Sequence, residues 1–147
     1  MQRHSRILCG MVVAAFMVAG AAWAGAERLE LAPPADDPLH PDATGHVVVH
    51  YVQAEDQDQG KDVTKFQVNV RGLDGDTEYS VWMLTPVPHG DDRFTTRRNG
   101  SGNIHIEHDG DHSWHLPVIV VDVALLPEDP DDLEQALEEA TVLTTEP

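Results

Sequence analysis

Val63-Thr64-Lys65-Phe66-Gln67-Val68-Asn69-Val70-Arg71 alternates without a break. Phe66, Val68 and Val70 point one way, and Lys65, Gln67, Asn69 and Arg71 the other. Successive side chains of a strand leave opposite faces of its sheet. This segment therefore reads as a half-buried strand of an antiparallel sheet, with one face on a core and the other in water.

The two-residue period extends outward on both sides. In His46–Gln53 (HVVVHYVQ), Val47, Val49 and Tyr51 share one face, and His46, Val48, His50 and Val52 the other. Glu78–Thr85 (EYSVWMLT) reads as a third strand, with Trp82 expected in the core. Arg93–Arg97 and Asn103–His108 flank Asn99-Gly100-Ser101-Gly102. Asn-Gly tolerates positive φ at both positions, so the spacing predicts a hairpin here. Pro117–Leu125 (PVIVVDVAL) is a continuous apolar run and is predicted to be the most buried strand. A short first strand at Arg28–Leu31 sits in a lead-in, residues 25–45, that holds Pro33, Pro34, Pro38 and Pro41.

One helix is predicted. Asp129 would cap it, Pro130 fits its first turn, and Leu133 and Leu137 share a face before an end near Ala140. Thr141–Thr145 would close the sheet as an edge strand. The fold class is mainly all-β: an antiparallel β-sandwich of about seven strands over residues 46–147, with one short C-terminal helix. A small barrel, or an open sheet with the helix on one face, are the alternatives.

The N-terminus has a different character. Arg3 and Arg6 precede an apolar run, Ile7 to Ala22, that ends in Ala22-Trp23-Ala24. A basic start, an apolar middle and a small-x-small exit make a secretory signal. The run is about 16 residues, short of the roughly 20 that a spanning helix needs. Cleavage is expected after Ala24, with Ala26 the runner-up, giving an exported product that is periplasmic or secreted and not embedded in the membrane. Cys9 precedes the apolar stretch instead of ending it, which argues against a lipoprotein. It is the only cysteine of the chain. The processed protein would hold no disulfide, no thiol nucleophile and no thiolate ligand, and its fold must rest on its own core.

Charge excludes some partners. The chain holds 26 Asp and Glu against 9 Lys and Arg. Loss of Arg3 and Arg6 leaves seven basic against 26 acidic side chains, a net charge of −19 with histidine neutral. Such a surface repels phosphate backbones and anionic lipid, and argues against nucleic-acid binding. It serves solubility and attracts cations.

A run of short motifs extends the reading. Phe66-Gln67-Val68-Asn69-Val70-Arg71-Gly72-Leu73 is followed by Thr77-Glu78-Tyr79-Ser80-Val81-Trp82, by Phe94-Thr95-Thr96, by the turn Asn99–Gly102 and by a closing Val142-Leu143. Over residues 46–147 this order resembles small exported bacterial β-sandwich domains, those near the CHRD-like domains and the extracytoplasmic domains of anti-sigma regulators. The resemblance implies a sandwich and export. That group shares no catalytic site, so no functional residue carries over, and the helix and the histidines depart from its pattern.

The chemistry concentrates in one segment. His105-Ile106-Glu107-His108-Asp109-Gly110-Asp111-His112-Ser113-Trp114-His115 holds four of the nine histidines. Neutral imidazole suits Zn, Cu and Ni, and metal sites recruit histidine and carboxylate from short loops. The candidate ligands are His105, His108, Asp109, Asp111, His112 and His115, with Zn or Cu the implied ion. His46 and His50 could add to them if their strand is a neighbour, and otherwise read as half-exposed surface. Asp56-Gln-Asp58-Gln-Gly60-Lys-Asp62 places acidic oxygens at alternate positions around a glycine. It is no EF-hand, since the twelfth position is Gln67 and the flanks are strands. A weaker calcium loop stays open.

Enzyme motifs are absent. Past the signal the serines are Ser80, Ser101 and Ser113, and none lies in a Gly-x-Ser-x-Gly elbow. There is no phosphate loop, no dinucleotide fingerprint and no H-E-x-x-H pair. The expectation is an exported, acidic, non-catalytic sandwich that acts as a structural or interaction module on a protein partner. The alternative is a periplasmic divalent-metal-binding protein that uses the 105–115 histidines to hold a small cation.

Overall fold

The computed structural model describes residues 26–36, 38–53, 60–85, 87–113, 116–128 and 132–145. The expected signal segment lies outside these residues, as do Asp56 and Asp58 of the calcium-like loop, and Trp114, His115, Asp129 and Pro130. Eight strands and one α-helix form among the described residues: β1 (Ala26–Leu31), β2 (Thr44–Val52), β3 (Val63–Arg71), β4 (Glu78–Met83), β5 (His89–Thr95), β6 (Gly102–Asp109), β7 (Val118–Asp122), α1 (Leu133–Ala140) and β8 (Thr141–Thr144). They make two antiparallel four-stranded sheets, ordered β1-β2-β3-β6 and β5-β4-β7-β8.

The alternation in β3 sets the first sheet. Phe66, Val68 and Val70 are buried, and Lys65, Gln67 and Asn69 face out. Their inward partners are Val47 and Val49 of β2 and Ile106 of β6. The facing layer comes from the second sheet: Tyr79, Val81 and Met83 of β4, Phe94 of β5, Val118 and Val120 of β7, and Leu143 of β8. The lead-in is part of this sandwich, because β1 pairs along its whole length with β2 and buries Leu31.

The second sheet is covered on both faces, which is why β7 carries no polar alternation. Ile119 and Val121 turn away from the main core and meet Leu137 and Ala140 of α1, with Trp82, Leu84, Leu126 and Leu133 around them. A strand buried on both sides reads as a continuous apolar run. Trp82 therefore lies under the helix, partly exposed, and not between the sheets. The helix starts later than the sequence suggests: Asp132 is its cap, accepting from the Gln135 amide at 3.2 Å. Leu133 and Leu137, four apart, form its apolar stripe. The apolar run of β7 ends at Asp122, whose side chain caps a 3-10 turn over Val123–Leu125.

The predicted Arg93–Arg97/Asn103–His108 hairpin does not form. The turn is there: the Arg97 amide bonds Ser101 O at 2.7 Å, and the Gly100 amide bonds Arg97 O at 2.8 Å. Beyond it the two strands part, β5 joining β4 and β6 joining β3. The Asn-Gly signal specifies the reversal but not which neighbours the flanking strands take. Here the reversal lies against the β3–β4 connection, with the Leu73 amide on Gly100 O at 3.2 Å. A Cβ at Gly100 would collide with the Leu73 carbonyl. Phe94 then packs over Gly102, so the two strands face each other through the core instead of side by side. β5 is also longer than expected, starting at His89.

Candidate metal centre

The far end of the seam between β5 and β6 carries a side-chain cluster built by an irregularity in β5. Met83 pairs with His89, Trp82 with Gly90 and Val81 with Asp92, so Asp91 is an extra residue. This is a β-bulge, two residues opposite one. In a regular strand, residues three apart face opposite ways. The bulge cancels that, and His89 and Asp92 both take the inward face shared by Met83 and Val81. Asp91 has φ 66° and Gly90 φ 132°. A Cβ at Gly90 would sit 2.6 Å from Val81 O. Arg93 holds the bulge from outside through two bonds to the Asp91 carboxylate, at 3.0 and 3.1 Å.

The opposite wall comes from β6. His108 has the parity of Ile106 and stands across from the fully buried Thr64. It faces inward, edge-on to Phe66 at 6.1 Å between ring centroids. The chain then turns at Gly110, φ 98°. Thr64 clamps this turn: its hydroxyl donates to Gly110 O at 2.7 Å and accepts from the His112 amide at 2.8 Å. The Gly110 amide donates to Asp62 O at 2.8 Å. The clamp folds His112 back over the end of β6.

Three imidazoles thus meet. Ring centroids are 5.3 Å apart for His108–His112, 6.0 Å for His89–His112 and 6.2 Å for His89–His108. Asp92 Oδ2 lies 3.7 Å from His108 Nε2. That nitrogen is buried and has no hydrogen-bond partner among the described residues. Burial pushes the His108 imidazole below its ordinary value; Asp92 pulls it up, and His112 and His89 push it down. The other two rings are oriented by main-chain carbonyls. His89 Nδ1 lies 2.9 Å from Val87 O, and His112 Nε2 2.9 Å from Asp109 O. A carbonyl can only accept, so these nitrogens carry the protons. The lone pairs then sit on His89 Nε2 and His112 Nδ1. An imidazole whose second nitrogen donates to a carbonyl is the usual arrangement of a metal-ligating histidine.

The arrangement can be measured against a bound ion. Three imidazoles on one tetrahedral zinc, with Zn–N near 2 Å, hold their ring centroids about 5.2 Å apart. The three observed separations exceed this by about 1 Å or less. As the side chains stand, no group of three or more His, Cys, Asp or Glu among the described residues is placed to hold a metal ion. The rings are gathered, and binding an ion requires the side chains to reorient.

Of the ligands proposed from sequence, the structure brings together His108 and His112. His105 lies opposite Gln67 on the outer, exposed face of the first sheet, turned away from His108. Asp109 is exposed and pairs with Lys61 at 3.7 Å. Asp111 accepts from the Ser113 amide at 3.0 Å and from its hydroxyl, which ties Ser113 to a turn. His115 is outside the described residues. His46 and His50 share the outer face with His105 and do not approach the cluster. Asp62, from the calcium-like loop, accepts from the Tyr51 hydroxyl at 2.7 Å.

His89 and Asp92 are invisible to sequence periodicity, which starts β5 at Arg93. The signal that could have found them is His89-Gly90-Asp91-Asp92, a glycine just before a strand, where bulges are common. No protein-family model matches the chain, and neither a curated protein nor a solved structure matches it.

Proposed function

We propose that this protein is exported and binds one divalent transition metal, Zn(II) or Cu(II), through His89, His108, His112 and Asp92. The observation that carries the reading is the meeting of three imidazoles, from a strand of each sheet and the turn after β6, beside the buried Nε2 of His108, which has no hydrogen bond among the described residues. The donor set is three nitrogens and one oxygen, with no sulfur, which suits Zn(II), Cu(II) and Ni(II) over Cu(I). Four protein ligands fill a tetrahedral shell and leave no position for a substrate. The reading is therefore a non-catalytic one. The acidic surface raises the local concentration of cations around the site.

A titration of the purified protein with Zn, Cu(II), Ni and Ca, followed by calorimetry and thermal melting, tests it. One equivalent of Zn or Cu should bind. At 100 times the dissociation constant the ion adds about 2.7 kcal/mol, a melting shift of several degrees. His89→Ala, His108→Ala and His112→Ala should each weaken binding tenfold or more, and His105→Ala should not. A flat response to every metal, or a loss on His105→Ala with none on His89→Ala, overturns the proposal.

The structural or interaction module stands as a second reading. Arg28, His46, His50, Lys65, Arg71 and His105 all lie on the outer face of the first sheet, where Glu30 and Glu107 pair with Arg28 and Lys65, so the face is less acidic than the rest of the chain. A flat metal response would direct attention to that face and to an anionic partner.

A further inference from the structure

The two lateral seams of the sandwich are closed differently. On one side the chain leaving β1 bonds the edge of the second sheet: the Ala32 amide donates to Thr144 O at 2.9 Å, and the Thr144 amide to Ala32 O at 2.8 Å. On the other side, β5 and β6 belong to different sheets. No backbone hydrogen bond joins these two strands among the described residues. They are tied at one end by the turn between Arg97 and Ser101. From there they extend, in different sheets, to His89 on β5 and His108 on β6. What meets across the far end of the seam is the three rings and the His108–Asp92 pair, 3.7 Å apart.

The ligand set divides across this seam. His89 and Asp92 belong to β5 of the second sheet, and His108 and His112 to β6 of the first sheet and the turn after it. An ion held by all four is bonded to both sheets at once. We infer that the metal is a structural tie that closes the β5–β6 seam, so that metal occupancy regulates the opening of this edge. The inference rests on the metal-binding reading and adds what the ion does there. A carrier site needs only a loop that can take up and release its cargo. A site whose ligands are split evenly between two sheets makes binding and closure one event.

The chemistry of the seam supports a closure that depends on an outside ligand. Cross-strand hydrogen bonds would hold the edge without help, and they are missing among the described residues. A buried imidazole nitrogen without a partner costs free energy until something pairs with it. Binding to the closed form alone depopulates the open form in proportion to one plus the ratio of free metal to dissociation constant.

Hydrogen–deuterium exchange of the whole protein, with and without zinc or copper, tests this. With free metal at about 100 times its dissociation constant, amides in both β5 and β6 that exchange through seam opening should slow by up to about 100-fold. Amides of β2 and β7 should change far less. His89→Ala that still binds metal through the β6 side should lose the protection of β5 and keep that near His108. Binding with protection confined to residues 108–113 overturns the tie and leaves metal binding standing. Absence of binding by calorimetry overturns both.

Discussion

His108 Nε2 faces the Asp92 carboxylate at 3.7 Å across the seam between the two sheets, buried and without a hydrogen bond among the described residues. Neither residue's strand is hydrogen-bonded to the other's. The contact exists because a bulge in β5 and the inward parity of β6 aim two polar groups into the edge of an apolar core. A core edge that carries such groups gives up stability.

His108→Leu separates the two roles. Leucine fills a similar volume against Phe66 and removes the unpaired nitrogen. In chelator the variant should be as stable as the parent or more stable, by roughly 0–1 kcal/mol, since both the orphaned group and its desolvation cost are gone. Metal should no longer raise its melting temperature. Thermal melts with chelator and with zinc check both halves, and a variant that is destabilised in chelator would show that the imidazole is held by bonds of its own.

Gly90→Ala strains the bulge. Its φ of 132° and the Val81 carbonyl 2.6 Å from a would-be Cβ leave no room for the methyl group. The expected loss is about 1–3 kcal/mol. Metal affinity should fall as well, because His89 and Asp92 share a face only through the bulge. Arg93→Lys, which gives up the two-pronged hold on Asp91, should show a weaker form of the same effect. Chemical denaturation and calorimetry read the two consequences separately.

Thr64→Val removes the clamp on the turn that carries His112. The Gly110 carbonyl and the His112 amide lose their partner, at a cost of about 1–3 kcal/mol. The β-branched shape of the strand residue is kept. Metal affinity should drop more than the change in stability explains, and Thr64→Ser should restore both. Equal affinity in Thr64→Val and the parent would show that His112 needs no positioning.

The two tyrosines of the chain should titrate late. The hydrogen bond from Tyr51 to Asp62, then burial and the charges of Asp62 and Asp111, push its phenol up to about 12. Burial pushes Tyr79 up as well. A folded-state value above the unfolded one means that the native chain holds the proton longer. The contribution to stability is complete below the ordinary phenol range near 10 and is lost as pH rises through the folded value. Tyrosinate absorbance should follow this order, and Asp62→Asn should bring Tyr51 down toward its ordinary value.

Much of the sandwich is legible in the amino-acid sequence. β3 matches its alternation residue for residue, and β2, β4, β6 and β7 fall within a few positions of their expected places. Side-chain parity is a local property, and a buried face leaves its mark on every second residue. The helix is legible as Leu133 and Leu137, but its cap is Asp132 instead of Asp129, since aspartates before a helix compete for that role on near-equal terms.

The histidine site is legible only in half. His108 and His112 stand out because they are close in sequence, and so does His105, which the strand turns the other way. His89 and Asp92 come from about twenty residues upstream. Their arrival depends on a one-residue bulge and on two strands that a turn signal assigns to one hairpin but that join different sheets.

Periodicity and composition settled the β-class, most of the strands and most of their inward faces, because each follows from burial acting on neighbours along the chain. Strand order, the parting of β5 from β6 and the meeting of His89, Asp92, His108 and His112 were settled by packing. Those features rest on contacts between residues far apart in sequence, and their free energy leaves no local pattern to read.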